Sequence, residues 1–134
     1  MDSAEQTAAS NELTALGRYW AIRLTTFRRD GTPVSTPVNV AVDGNRVYFR
    51  TYEEAGKFKR IRNNAAVEVA PSTFRGVATG PAKLARAVLL SGGDDARAAS
   101  LIDDKHRIFQ AFLVRTAHRL RGYTTRHLEL LPPG

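Results

Sequence analysis

The densest charge in the chain lies in Glu53–Asn64, which reads EEAGKFKRIRNN and follows the apolar run VYFRT. Lys57, Lys59, Arg60 and Arg62 fall within six residues of one another. Two kinds of chemistry fit. The cations can form a solvated helix face, with Glu53 and Glu54 complementing the positive end of the helix dipole. They can also form an anion site, because the first turn of a helix offers free amides and a positive dipole end. Spacing refines the second possibility. Phe58 and Ile61 lie three apart and face a core from one helix; the same interval pairs Lys57 with Arg60 and Lys59 with Arg62 on two further faces. In the functional reading, Thr51, the helix N-terminal amides and the Lys57/Arg60 pair converge on a phosphate. Each charge-assisted hydrogen bond is then worth about 1.5–3 kcal/mol.

Other chemistries find less support. His106, His118 and His127 show no metal-ligand spacing, and Cys is absent, so neither a thiolate metal site nor a cysteine nucleophile is available. No Ser sits in a GxSxG context, and GVATG is neither a phosphate-binding loop nor a dinucleotide fingerprint. Asp94–Asp95 and Asp103–Asp104 read as a solvated face at helix ends. No side chain stands out as a catalytic acid or base. From Lys105 to Arg126 there are six cations and no acid; within this stretch the basic helix Arg107 to Arg121 is open to RNA or lipid contact, although Ile108, Phe112 and Leu120 form a stripe that packs on a core. Tyr48 and Phe49 lend an RNA-binding reading weak support, since RNA modules stack bases on strand aromatics.

The elements that must position these groups follow from turns and periodicity. SNELTALG reads as a short helix with Ser10 as its N-cap and Gly17 as its stop. Tyr19–Phe27 is a strand, closed by the Asp30–Gly31 hairpin turn. Thr32–Val42 is a second strand, whose Pro33 and Pro37 suit an edge or bulge. Asp43–Asn45 is a turn, and Arg46–Thr51 a third strand, giving a β-meander. After the basic helix, Ala65–Thr73 and Gly76–Leu90 return to strand character. SGGDDARAASLIDD and RIFQAFLVRTAHRL read as helices, and TTRHLELLP closes as a strand in which HLE alternates. Antiparallel strands with segregated helices predict a small α+β barrel.

At 134 residues, 43% apolar and 25% charged, the chain is expected to form one domain over 10–134, with 1–9 as a flexible tail. The net charge of +7 favours an anionic partner. The polar, slightly acidic start MDSAEQTAASNE reads as no secretory leader, and no apolar run is long enough to span a bilayer, so a cytoplasmic protein without membrane attachment is expected.

The succession LTTFRRDGTPVSTPVNVAVDGNRVYFRTYEEAGKFKRIRNNAAVEVAPSTFRG resembles the split β-barrel flavin/deazaflavin oxidoreductases, the pyridoxamine-5'-phosphate-oxidase-like class. Within that class it is most similar to the actinobacterial enzymes that use the deazaflavin coenzyme F(420). The resemblance covers about residues 13–92 well and RHLEL more loosely. It rests on the DGTPVSTPV hairpin and the Gly-Lys helix start taken together. It implies a split β-barrel with flanking helices and a homodimer with the cofactor at the subunit interface. The cofactor ring would lie against Thr36, Pro37, Val38 and Asn39. Its phosphate would meet Thr51, Lys57 and Arg60, with Lys59 nearby. Arg75 and Gly76 would approach from the other subunit. The implied activity is hydride transfer between coenzyme F(420) and an electron-poor small molecule; the alternatives are an FMN-dependent oxidoreductase on the same fold and a non-catalytic cofactor- or RNA-binding protein. Two positions depart from the family pattern: Asn39 where an aromatic residue is common, and Ala55 where Ser usually precedes Gly-Lys.

Overall fold

The structure, a computed structural model, describes residues 2–107 and 122–134. Its strands are β1 (Ala21–Phe27), β2 (Pro33–Asp43), β3 (Arg46–Tyr52), β4 (Ala66–Ser72), β5 (Lys83–Leu89) and β6 (Thr125–Leu131). They close an antiparallel barrel in the order β1-β2-β3-β6-β5-β4, with β4 returning to β1. Among the described residues three α-helices flank it: α1 (Ser3–Thr14), α2 (Gly56–Asn63) and α3 (Gly92–Lys105). The expected α+β split barrel is therefore the observed architecture. Among the described residues no helix is long and apolar enough to cross a membrane. The expected second C-terminal helix, with its stripe from Ile108, lies outside the described residues.

Local chemistry accounts for the meander. Gly31 and Gly44 adopt φ of +89° and +60° at the two turns, where a Cβ would be strained. Asp30 closes the first turn by accepting from the Thr32 amide at 3.0 Å. β2 is held differently along its length. Pro33–Asn39 pair with β1 alone, whereas Val40–Asp43 pair with β3. The prolines explain the change: Pro33 and Pro37 have no N–H for a second neighbour. The barrel is split between the first half of β2 and the end of β3.

Alternation divides the apolar residues into two cores. Ile22, Leu24, Val38, Val40, Val47, Phe49, Val67, Val69, Leu128 and Leu130 fill the barrel. On its outer face, Ala41 and Tyr48 pack with Leu90, Ala98 and Ile102 beneath α3. Tyr48 and Phe49 are thus both fully buried, on opposite faces, and offer no surface on which a base could stack.

Several expectations are corrected. The first helix starts at Ser3 rather than Ser10, because the Asp2 carboxylate caps it by accepting from the Glu5 amide at 2.8 Å. β5 begins at Lys83, since Gly80–Pro81 interrupts the run read from Gly76. His127, Leu128, Glu129 and Leu130 are all buried, so HLE does not alternate in exposure: one face of β6 lines the barrel and the other lies under α3. Asp94, Asp103 and Asp104 are more than half exposed, as the solvated-face reading has it, yet three of the four α3 acids also pair with the barrel. Asp94 pairs with Arg46 at 3.2 Å, Asp103 with Arg50 at 2.7 Å, and Asp95 with His127 at 3.0 Å.

Candidate functional site

The inner face of the barrel changes character at one end. Along β1, Ile22 and Leu24 give way to Thr26; along β3, Val47 and Phe49 give way to Thr51; and on β2, Thr36 faces inward opposite Leu24. The strand registers place these three threonines at the same end, where β2 has parted from β3. α2 covers that end, burying Phe58 and Ile61, as the i, i+3 spacing predicts.

The cations of α2 divide as their spacing requires. Lys59 and Arg62 are exposed, whereas Lys57 and Arg60 are partly buried on a shared face. Burial, reinforced by the neighbouring Arg60 charge, holds the Lys57 ammonium below the ordinary lysine range. Burial and then the nearby Arg28 charge lower Arg60 in the same sense. Arg60 is fixed by an Nε–H bond to the Thr26 hydroxyl at 2.6 Å. Its guanidinium folds back over the start of α2: a Cβ built on Gly56 would lie 2.8 Å from Arg60 Nη1. The N-cap residue is Ala55, which has no side-chain oxygen, so no side chain caps the first turn. A cation therefore lies against the positive end of a helix, an arrangement that an anion between them would stabilise.

The two acids that the solvated-face reading assigned to the helix are turned away. Glu53 pairs with Arg126 at 3.4 Å. Glu54 accepts from the Thr124 amide at 3.1 and 3.2 Å. Among the described residues, Lys57, Lys59, Arg60 and Arg62 make no ion pair. The cation cluster also extends beyond the residues singled out in the sequence. Arg28 raises the local positive potential at Arg60, and Arg29 approaches Asn63 Oδ1 at 3.5 Å. The RRDG turn thus folds against α2. Its two arginines read in the sequence only as part of a hairpin, and the repeated cation beside a tight turn was their one signal.

The remaining candidates fall around the split. Thr36 and Thr51 each carry a buried hydroxyl without a partner among the described residues. Such groups are uncommon in folded proteins and fit a site for a polar ligand. Val38 lies in the core, so its side chain is withdrawn and only its backbone borders the open edge of β2; Pro37 and Asn39 face outward. Gly76, at φ +87°, packs on Pro37 within the same chain: a Cβ there would lie 3.0 Å from Pro37 Cδ. Arg75 is exposed, its guanidinium 5.6 Å from the Phe74 ring centroid. The donors present, namely hydroxyls, helix amides and cations free of carboxylates, suit a phosphorylated cofactor. Among the described residues no group of His, Asp and Glu could hold a metal ion.

Comparison with solved structures finds the same fold elsewhere. The protein Atu2129, of unknown function, from Agrobacterium tumefaciens superposes with a TM-score of 0.66 at 16% identity; all of this chain is covered, but only 56% of that one. HutZ, the heme storage protein from Vibrio cholerae, matches at 0.58 and 13%, over 98% of this chain and 90% of that one. An F(420) reductase matches at 0.55 and 18%, over 92% and 93%. At such identities these likenesses carry the fold alone. No curated protein is matched by the sequence. The sequence model described as pyridoxamine 5'-phosphate oxidase matches residues 9–129, nearly the whole barrel. With that match and the six-stranded split barrel in hand, the chain belongs to the pyridoxamine 5'-phosphate oxidase family, in the flavin-binding split-barrel class.

Proposed function

We propose that this protein is an oxidoreductase that holds the deazaflavin coenzyme F(420), in preference to FMN, and exchanges hydride with an electron-poor small molecule. The observation that carries the reading is the orphaned Thr51 hydroxyl, near the end of β3, taken with the carboxylate-free Lys57/Arg60 pair at the start of α2. When bound, the cofactor supplies the redox chemistry at its central ring carbon; the protein supplies position and electrostatics.

Each residue then has a task. Lys57 and Arg60 neutralise the phosphate, and the α2 amides and Thr51 hydroxyl orient it. Thr26 fixes the Arg60 guanidinium. The edge of β2 from Pro33 to Asn39 has no β3 partner, which leaves backbone groups to bind the ring's polar rim. Gly76 packs on Pro37 and so braces the outer side of β2 beside the ring. The preference for the deazaflavin rests on reach: Arg28, Arg29, Lys59 and Arg62 continue the positive surface past the phosphate position, toward an acidic tail that FMN lacks. A second copy of the chain would close the site from outside, and Phe74 and Val77, both more than half exposed beside Gly76, suit that contact.

Parallel fluorescence titrations with coenzyme F(420) and FMN test the reading. The deazaflavin is expected to bind at least tenfold more tightly. Lys57→Ala should weaken both ligands, and Arg29→Ala only the deazaflavin. The reverse preference would make this an FMN-dependent enzyme, and failure of both ligands to bind would refute the cofactor site.

A further inference from the structure

A pocket of about 520 Å³ opens on the outer face of β1, β2 and β4, the opposite side of these strands from the threonines Thr26 and Thr36. Its size is that of a small-molecule site. The floor is polar: Arg23 and Thr25 come from β1, Ser35 from β2 and Glu68 from β4, and the Thr25 and Ser35 hydroxyls bond at 2.7 Å. The roof is the β4–β5 connection at Ala78 and Gly80. That connection is ordered by its own bonds, Thr73 N–H to Val77 O at 2.9 Å and Thr79 N–H to Pro71 O at 2.8 Å. It also sits close on the strand, since a Cβ at Gly80 would come within 2.7 Å of Pro71 Cγ.

Two charges of opposite sign share this floor without meeting. In the register, Thr25 lies opposite Glu68 and Arg23 opposite Ala70, so Arg23 and Glu68 are diagonal neighbours, about 7–8 Å apart at Cα. Both are partly buried, and among the described residues neither makes an ion pair or a side-chain hydrogen bond. A carboxylate entering the pocket would find the planar fork of Arg23, and an ammonium would find the Glu68 carboxylate. A ligand with one charge alone would satisfy one group and be repelled by the other. We propose that this pocket binds a small dipolar molecule of the ω-amino acid type, its carboxylate on Arg23 and its ammonium on Glu68. The Thr25 hydroxyl stands beside Glu68, with Ser35 beyond it on β2, and Ala78 and Ala82 of the roof line the space for the ligand's methylene chain. This pocket shares the β2 edge at Pro33 and Ser35 with the proposed cofactor site but lies on the face of β2 opposite Thr36, and its test does not require the cofactor.

An NMR titration of the full chain with 6-aminohexanoate, hexanoate and hexylammonium decides the matter. The ω-amino acid should bind at least tenfold more tightly than either single-charge analogue, shifting amides of β1, β4 and residues 78–82. Arg23→Gln should remove its advantage over hexylammonium, and Glu68→Gln its advantage over hexanoate. Arg23→Lys and Glu68→Asp should retain part of each, which separates loss of charge from loss of fold. Equal affinities, shifts confined to other surfaces or no saturable binding would overturn the proposal. So would a dimer, seen by sedimentation, that protects these amides and dissociates in the same variants, because the pocket would then be filled by a second copy of the chain.

Discussion

Arg60 donates from Nε to the Thr26 hydroxyl at 2.6 Å and thereby lies over the uncapped first turn of α2. The contact joins a helix to a strand end thirty-four residues away. It converts a flexible surface cation into an oriented donor with its Nη groups free for an anion. Thr26→Val removes the acceptor while keeping the shape. A hydrogen bond to a charged group contributes about 1.5–3 kcal/mol, so phosphate-bearing cofactors should bind roughly tenfold more weakly. Calorimetric titration of the variant with coenzyme F(420) or FMN, whichever the wild type binds, checks this; unchanged affinity would detach Arg60 from the phosphate.

Ala55 leaves the first turn of α2 without a side-chain cap. Ala55→Ser restores an oxygen at that position, and N-cap serines stabilise by about 0.5–2 kcal/mol relative to alanine. Urea unfolding should therefore show a higher midpoint with an unchanged slope. The same oxygen stands beside the proposed phosphate, so cofactor affinity should rise as well. A stability gain with weakened binding would mean that the serine competes with the ligand for the helix amides.

The Lys57 shift makes a pH prediction with a definite sign. Its folded-state pKa is depressed, chiefly by burial, so between that value and the ordinary lysine value the unfolded chain binds more protons. Stability should rise with pH through this alkaline window, as the buried charge is relieved. Anion affinity should move the opposite way, because the phosphate needs the ammonium. Binding in that window should take up a proton, measurable by calorimetry in buffers of different ionisation enthalpy. Lys57→Met should abolish the uptake; if uptake persists, another group carries it.

His127 ties α3 to the barrel. Arg50 Nε donates to its Nε2 at 3.0 Å, which puts the ring proton on Nδ1, and Nδ1 donates to Asp95 at 3.0 Å. Arg50 in turn reaches Asp103 and the Ala99 carbonyl. His127→Leu keeps the volume but strands a partly buried donor and acceptor, at a cost of about 1–3 kcal/mol each. The thermal midpoint should fall by several degrees. Hydrogen exchange should quicken first in α3, and uniform quickening across the barrel would contradict a local clamp.

Much of this was legible in local chemistry. The turns at Asp30–Gly31 and Asp43–Asn45 appear as expected, and Phe58 with Ile61 set the buried face of α2, which alone sorts its cations into a covered pair and an exposed pair. The prolines of β2 announced an edge. The Ser3 start was missed because the first turns of α1 carry no apolar rhythm to mark them. Asp94 and Asp103 are exposed as read, but the ion pairs that they and Asp95 make were not legible, because helix periodicity reports on the helix itself and carries no information about Arg46, Arg50 and His127 opposite.

The chain's sequence by itself determined the order of elements, the turns, the covered face of α2 and the family pattern; these depend on backbone stereochemistry and on neighbours within a few residues. Tertiary structure decided which charges remain unpaired. β6 lies beside β3, and Thr124 and Arg126 draw Glu54 and Glu53 away from the cations that follow them in sequence. The same closure brings Arg28 and Arg29 against α2 and leaves Thr36 and Thr51 without hydroxyl partners among the described residues. Electrostatic partnership falls off with distance in space rather than along the chain, so the composition of an anion site becomes visible only once the barrel is closed.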